Sequence, residues 1–193
     1  MDRGGLKEPE IVEFEKVRCA KFDGASALRV TDTSLLHNLS KWTVQVWAYA
    51  TSTGTYANQS MICTNYPMGA SVNSNYFIIA YKAPNLLNSL IEANYTVDFL
   101  NGWHHIKVTC DGAKIYTYFD KKLVGEYPTN VVKRFASPNL SIGHEASNGR
   151  YNVGFYGYLT QFKLSDVYND EDLLLNNNKF IYINKNNEVW AMV

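Results

Sequence analysis

The segment Trp42 to Ala50, WTVQVWAYA, alternates strictly. Trp42, Val44, Val46 and Ala48 fall on one face, with Thr43, Gln45, Trp47 and Tyr49 on the other, the period of a half-buried strand. Similar short apolar runs predict strands at about Met61–Cys63, Tyr76–Tyr81, His105–Cys110, Ile115–Phe119, Leu140–Ile142 and Phe155–Leu164. Turn-rich stretches such as Thr51–Ser60 and Tyr66–Asn75 separate them, as a sandwich of two antiparallel sheets requires. Asp111-Gly112, between two runs rich in Val, Ile and Tyr, predicts a tight hairpin turn. The one helical signal is Asn169-Asp170-Glu171-Asp172 leading into Leu173–Leu175, where an Asn or Asp can cap a short helix or helical turn and carboxylates favour the helix dipole.

Both ends differ from this pattern. Residues 1–16 hold Gly4-Gly5, Pro9 and the charged EIVEFEK, which predicts an N-terminal arm or an edge strand carrying Val12 and Phe14. Residues 176–193 hold two apolar runs, FIYI and VWAMV, joined by a Lys-Asn-Asn turn. They predict an added hairpin that packs on the same domain or on a partner. Residues 17–175 between them are one domain.

At 193 residues with 46% apolar and 14% aromatic content, the chain can bury a substantial core. Its 18 basic and 18 acidic side chains cancel, so the positive field that draws a protein to nucleic acid is missing. Cys19, Cys63 and Cys110 are odd in number and widely spaced, which suits buried free thiols better than a disulfide framework or a metal site. No segment reaches membrane-spanning length, and the charged N-terminus lacks the apolar run of about seven to fifteen residues of a signal peptide. With Met1 in place, synthesis in a cytoplasm is the expectation, and the sequons at Asn38, Asn58, Asn94 and Asn139 carry little weight.

An ordered set of short motifs then stands out: Phe22-Asp23-Gly24, the Trp42–Trp47 strand, Trp103-His104-His105, Asp111-Gly112, Tyr118-Phe119-Asp120, Ile142-Gly143 and Gly157-Tyr158-Leu159. This order resembles the concanavalin A-like lectin/glucanase superfamily, in particular jelly-roll domains of the laminin-G and pentraxin type, over residues 17–175. The resemblance implies an all-β jelly-roll sandwich of two antiparallel sheets, with one short helix or helical turn. It also implies that Trp-His-His serves packing, with one imidazole hydrogen-bonded inside. Neighbouring residues on a strand point to opposite faces, so His104 and His105 cannot share one ion.

Glucanases of this fold carry a Glu-x-Asp-x-Glu strand that sets an acid and a nucleophile on one face. The chain contains no such string, so an enzyme is not expected, and catalytic residues are none. Pentraxins bind calcium through side chains after Ile-Gly. Here that segment reads His144-Glu145-Ala146-Ser147-Asn148, which leaves Glu145 and Asn148 as a weak possible site, and the expected cofactor is none, with calcium possible. The turn-rich loops are rich in Tyr, Asn and Arg: Tyr56, Asn58, Asn65, Tyr66, Asn73, Asn75, Asn148, Arg150 and Tyr151. Aromatic faces meet the C–H patches of sugars while amide and guanidinium groups meet hydroxyls, so these residues are the candidate glycan site. The composition suits a protein interface equally.

The function expected is a non-catalytic lectin-like module, a bacteriophage decoration or tail/adhesion protein at a virion surface, recognising a glycan or cell surface and docking on a larger assembly. The alternatives are a bacterial carbohydrate-binding protein at the cell surface or outside the cell, or a purely structural docking domain. Expected partners are a glycan or cell-surface ligand, other structural proteins and possibly a second copy of the chain, without nucleic acid or membrane insertion.

Overall fold

The computed structural model of the chain describes residues 7–30, 41–51, 58–64, 78–82, 86–89, 94–97, 99–100, 102–128, 140–144, 154–175, 181–185 and 188–192. Fifteen strands and no helix occur among them: β1 Glu10–Phe14, β2 Val17–Asp23, β3 Leu28–Val30, β4 Trp42–Ala50, β5 Asn58–Thr64, β6 Ile78–Lys82, β7 Leu86–Ser89, β8 Asn94–Thr96, β9 His104–Cys110, β10 Lys114–Phe119, β11 Lys122–Pro128, β12 Leu140–Ile142, β13 Tyr156–Ser165, β14 Ile181–Lys185 and β15 Glu188–Met192. The large sheet runs β1-β2-β13-β4-β9-β10-β11, and the small sheet runs β3-β12-β5-β6-β7-β8.

The alternation in β4 explains the core. Trp42, Val44, Val46, Ala48 and Ala50 are all at most 1% exposed and cluster with Ile106, Val108, Ile115, Leu159 and Leu164 of the same sheet and with Met61 and Ile142 of the small one. The opposite face departs from the half-buried expectation: Thr43 and Gln45 are also fully buried. A segment of the chain covers them from outside, as described below.

Residues 10–14 form the edge strand, pairing with β2 through a turn at Glu15-Lys16 in which both residues have positive φ. β14 pairs in parallel with Phe162–Ser165 of β13, and β15 pairs antiparallel with β14, so the C-terminal hairpin extends the domain's own large sheet. A bulge at Gln161 (φ 51°) lets β13 exchange neighbours: β2 up to Leu159, β14 from Phe162.

Two local expectations are corrected. The β9–β10 turn is centred on Gly112-Ala113, with Asp111 one position earlier; its Oδ1 accepts from the backbone N–H groups of Ala113 and Lys114 at 2.7 Å each. Positive φ falls on Gly112 alone (100°), the first central residue, as a type II′ turn requires. Residues 169–175 make no helix. They turn at Tyr168-Asn169 and run on without helical bonding, because side chains of the sheet take up the backbone groups that a helix would pair internally.

The sheets are joined where the family-type glycines meet. Gly24 N–H donates to Phe155 O, Phe155 N–H to Gly143 O, and Gly143 N–H to Met61 O, at 3.0, 2.8 and 2.7 Å. That row crosses from β2 and β13 to β12 and β5. The approach leaves no space for side chains: a Cβ on Gly154 would lie 2.0 Å from Gly24 O, and one on Gly143 would lie 2.0 Å from the Phe22 ring. Gly154→Ala should therefore cost about 2–4 kcal/mol, read as a lowered urea midpoint at unchanged slope. A loss below about 0.5 kcal/mol would show that the two strands can part there freely.

Candidate functional site

The outer face of the large sheet is divided in two. Over Thr43, Gln45 and Trp47 lies a strap, residues 166–175, laid along β4. Thr43 Oγ1 donates to Val167 O, and Asn169 N–H donates to Thr109 Oγ1. Gln45 clasps the strap with both ends of its amide: Nε2 donates to Glu171 O at 2.8 Å, and Oε1 accepts from Leu173 N–H at 3.1 Å. Trp47 Nε1 donates to Leu173 O at 3.0 Å. Lys163 pairs with Asp170 at 2.7 Å, and the buried Lys107 ammonium binds Asn169 Oδ1 and Asp172 while lying over the Tyr118 ring. Burial pushes the Asp170 carboxyl up, yet Lys163 and Ser165 outweigh it and hold the carboxyl below its ordinary range. The acidic cluster thus fastens the strap by ion pairs; the helix-capping role expected for it is not what it does.

The Trp-His-His and Tyr-x-Asp motifs form one bonded unit beside it. Asp120 Oδ1 accepts from His105 N–H at 2.8 Å, and Asp120 Oδ2 meets His104 Nδ1 at 2.7 Å. The His104 ring stacks on Phe119 and Phe99. His105 points to the opposite face, where its Nε2 lies 3.0 Å from Gln45 Oε1. Because that oxygen already accepts from Leu173 N–H, Nε2 is the protonated nitrogen, and Nδ1 is buried without a hydrogen-bond partner. Burial lowers the His105 pKa to about 4, against a smaller upward pull from Asp172. Both histidines therefore serve architecture.

Beyond Trp47 lies an aromatic patch on the same face. Phe14 stacks on Tyr158 with centroids 4.0 Å apart, and Tyr49 meets Phe14 edge-on at 4.9 Å. Trp103 lies 5.8 Å from Tyr49 and 6.4 Å from Phe14. All four rings are half-buried. The indole N–H of Trp103 is buried and, among the described residues, has no hydrogen-bond partner, which costs about 1–3 kcal/mol. β1, β4, β13 and the approach to β9 each supply one ring, so the patch exists only in the folded sheet.

The sequence places Phe14 on an arm or edge strand, Tyr49 on the non-core face of WTVQVWAYA, and Trp103 and Tyr158 within motifs; that non-core face was the one signal that could have pointed to the patch. Tyr56, Asn65, Tyr66, Asn73, Asn75, Asn148, Arg150 and Tyr151 lie outside the described residues, as does Glu145. Asn58 is described only in its backbone, at the start of β5. Among the described residues, no group of three or more His, Cys, Asp or Glu side chains is placed to hold a metal ion. Cys19 and Cys110 are buried, and burial raises Cys19 to about 11.

Two stacked sheets of this connectivity, with an aromatic patch on an outer face, define a lectin-like sandwich. The chain belongs to the Concanavalin A-like lectin/glucanases superfamily, whose family description matches residues 22–172. Among solved structures it is similar to the native heptameric SAP-like pentraxin from Limulus polyphemus, at 17% identity and TM-score 0.55, covering 77% of this chain and 75% of that one. It is similar also to the CBM40 of the Ruminococcus gnavus IT-sialidase bound to α2,3 sialyllactose, at 15% identity and TM-score 0.51, covering 80% and 89%. A third is domain 4 of AbnA, an extracellular arabinanase from Geobacillus stearothermophilus in complex with arabinotriose, at 11% identity and TM-score 0.54, covering 80% and 77%. At these identities the likeness is one of fold. Among curated proteins, none matches the chain by sequence.

His105 sets a pH dependence. Its folded pKa, about 4, lies below the ordinary value of 6.5, so the stability it contributes is complete above pH 6.5 and is lost as pH falls toward 4. The loss is at most about 3 kcal/mol. In urea titrations the wild type should weaken across that window, and His105→Phe, which cannot titrate, should show a flatter profile. Parallel profiles for the two proteins would assign the loss to other groups.

Proposed function

We propose that the protein is a non-catalytic glycan-binding module that holds its ligand on the patch of Phe14, Tyr49, Trp103 and Tyr158. The observation that carries this reading is that, among the described residues, the strap covers one half of the outer face while the four rings of the other half stay partly exposed. Partly exposed rings grouped on one face suit the C–H patches of a sugar. The glycan complexes of two relatives of the same fold lend support. The strap carboxylates Asp170 and Asp172 are engaged by Lys163 and Lys107.

Binding is proposed to need no calcium. On a glycan array, saturable sugar-specific binding should survive a chelator, and Tyr49→Ala or Trp103→Ala should weaken it about tenfold or more, or about 1.4 kcal/mol, in protein that still unfolds in one cooperative thermal transition. Undiminished binding in both variants would move the site to the loops of Tyr66 and Tyr151. Loss of binding with chelator would assign a metal role to Glu145 and Asn148.

Display on a virion surface, with docking on a larger assembly, is a separate proposal that rests on the sequence alone. Its test removes residues 1–6, because cutting to residue 16 would strip β1, uncover Cys19 and delete Phe14. The shortened chain should fold and bind glycan but fail to assemble; normal assembly would end the idea that the arm docks.

A further inference from the structure

Strand register carries the aromatic patch sideways into a cleft. Lys21 is the direct partner of Tyr158 across β2 and β13, and of Glu10 across β1 and β2. Side chains at paired positions share a face, so Glu10, Lys21 and Tyr158 stand in one row, with adjacent strands about 4.8 Å apart. At the Glu10–Lys21 end of this row lies a cleft of about 400 Å³ whose walls include Lys7, Glu8, Glu10, Lys21, Asp23 and Ser26. That size falls within the roughly 300–1,000 Å³ usual for ligand pockets.

The charges in this cleft are not equivalent. Lys7 is paired with Asp23, whose carboxyl also accepts from Ser26 Oγ and Ala25 N–H. Burial pushes that carboxyl up, but Lys7, Ser26 and Ala25 together hold it below its ordinary range, so it stays ionised. Glu8, Glu10 and Lys21 make no ion pair with one another or with any described residue, which leaves two acceptors and one donor facing solvent beside Tyr158. Three carboxylates against two ammoniums give the cleft a net charge of −1.

We propose that this cleft is a second subsite, continuous with the aromatic patch, and that the ligand is a neutral oligosaccharide of at least two units. The proposal rests on the glycan-binding reading of the patch. One unit lies on the rings, and the next enters the cleft. A sugar hydroxyl both donates and accepts, so adjacent free carboxylates and an ammonium can each bind one. An acidic sugar in the same place would set its carboxylate against Glu8 and Glu10, and the unpaired like charge works against it.

The test is a glycan array of matched pairs, each neutral oligosaccharide beside its acidic counterpart, as lactose beside sialyllactose, and each beside its own monosaccharides. Hits are titrated against wild type, Tyr49→Ala, Glu10→Ala and Lys21→Ala. Glu10 and Lys21 are exposed, so their variants should keep the wild-type thermal midpoint. The wild type should bind the neutral oligosaccharide at least tenfold tighter than its monosaccharide and tighter than its acidic counterpart. Glu10→Ala and Lys21→Ala should remove most of the gain with length and leave monosaccharide affinity unchanged, whereas Tyr49→Ala should weaken both. Acidic sugars binding as well as neutral ones, or a gain with length that persists in both cleft variants, would overturn the subsite while sparing the patch. No binding by the wild type, or full binding by Tyr49→Ala, would overturn the patch and the subsite together.

Discussion

Three backbone hydrogen bonds, Gly24 to Phe155, Phe155 to Gly143 and Gly143 to Met61, form the constraint on which the rest of the architecture depends. They tie the end of β2 and the start of β13 to β12 and β5, so the two sheets meet along a row of main-chain groups as well as through side chains. Main chains approach this closely only where a side chain is missing, which is why Gly143 and Gly154 sit there. The seam also fixes the Asp23–Ser26 turn, whose Oδ1 and Oγ atoms bond each other and the local backbone. Lys7 is then held against that turn by its N–H bond to Ala25 O and its ion pair with Asp23. The position of the N-terminal segment, and hence of β1, follows from the seam.

The strap is the second determinant, and it acts by exclusion. Thr43, Gln45, His105, Lys107 and Thr109 form a polar row on a sheet face, a composition that could have met a ligand. In this protein the chain's own residues 167–173 cover them, and apart from His105 Nδ1 their hydrogen bonds are made within the chain. The cost is a buried imidazole that must stay neutral and a buried ammonium that must stay paired. What remains open is the aromatic end of the same face. The proposed binding surface is therefore the part of this face that the described strap leaves uncovered.

Much of the fold was legible in the sequence because strand periodicity is a local signal. β4, β9, β10, β12 and β13 follow from alternation, and the motif order identified the superfamily. The turns at Glu15-Lys16 and Asp120-Lys121 were not legible: both residues of each take positive φ without a glycine or asparagine to announce it. The strap was misread for a related reason. Asn169 through Asp172 are good helix-start residues, but the groups that decide their conformation, Gln45, Trp47 and Lys107, lie more than sixty positions away in sequence. The aromatic patch was hidden in the same manner, since Phe14, Tyr49, Trp103 and Tyr158 become neighbours only through sheet order. The loop residues singled out for a glycan, Tyr66 and Tyr151 among them, were chosen by composition, which carries no information about convergence.

Edge placement explains why the proposed binding surface and a stability device coincide at β1. An exposed edge invites pairing with other chains, and β1 carries Glu10 and Glu13 on that edge, a charged guard against it. Its apolar positions, Val12 and Phe14, turn onto the outer face, where Phe14 joins the ring cluster and Cys19 lies fully buried. Removing Phe14 would therefore disturb both the patch and the packing of the edge, and a loss of binding in that variant would be ambiguous. Tyr49 sits on a central strand whose other face is already fixed by Trp42, Val44, Val46 and Ala48. Its ring can be removed without loosening an edge, so Tyr49 separates the proposed ligand recognition from folding more cleanly than Phe14.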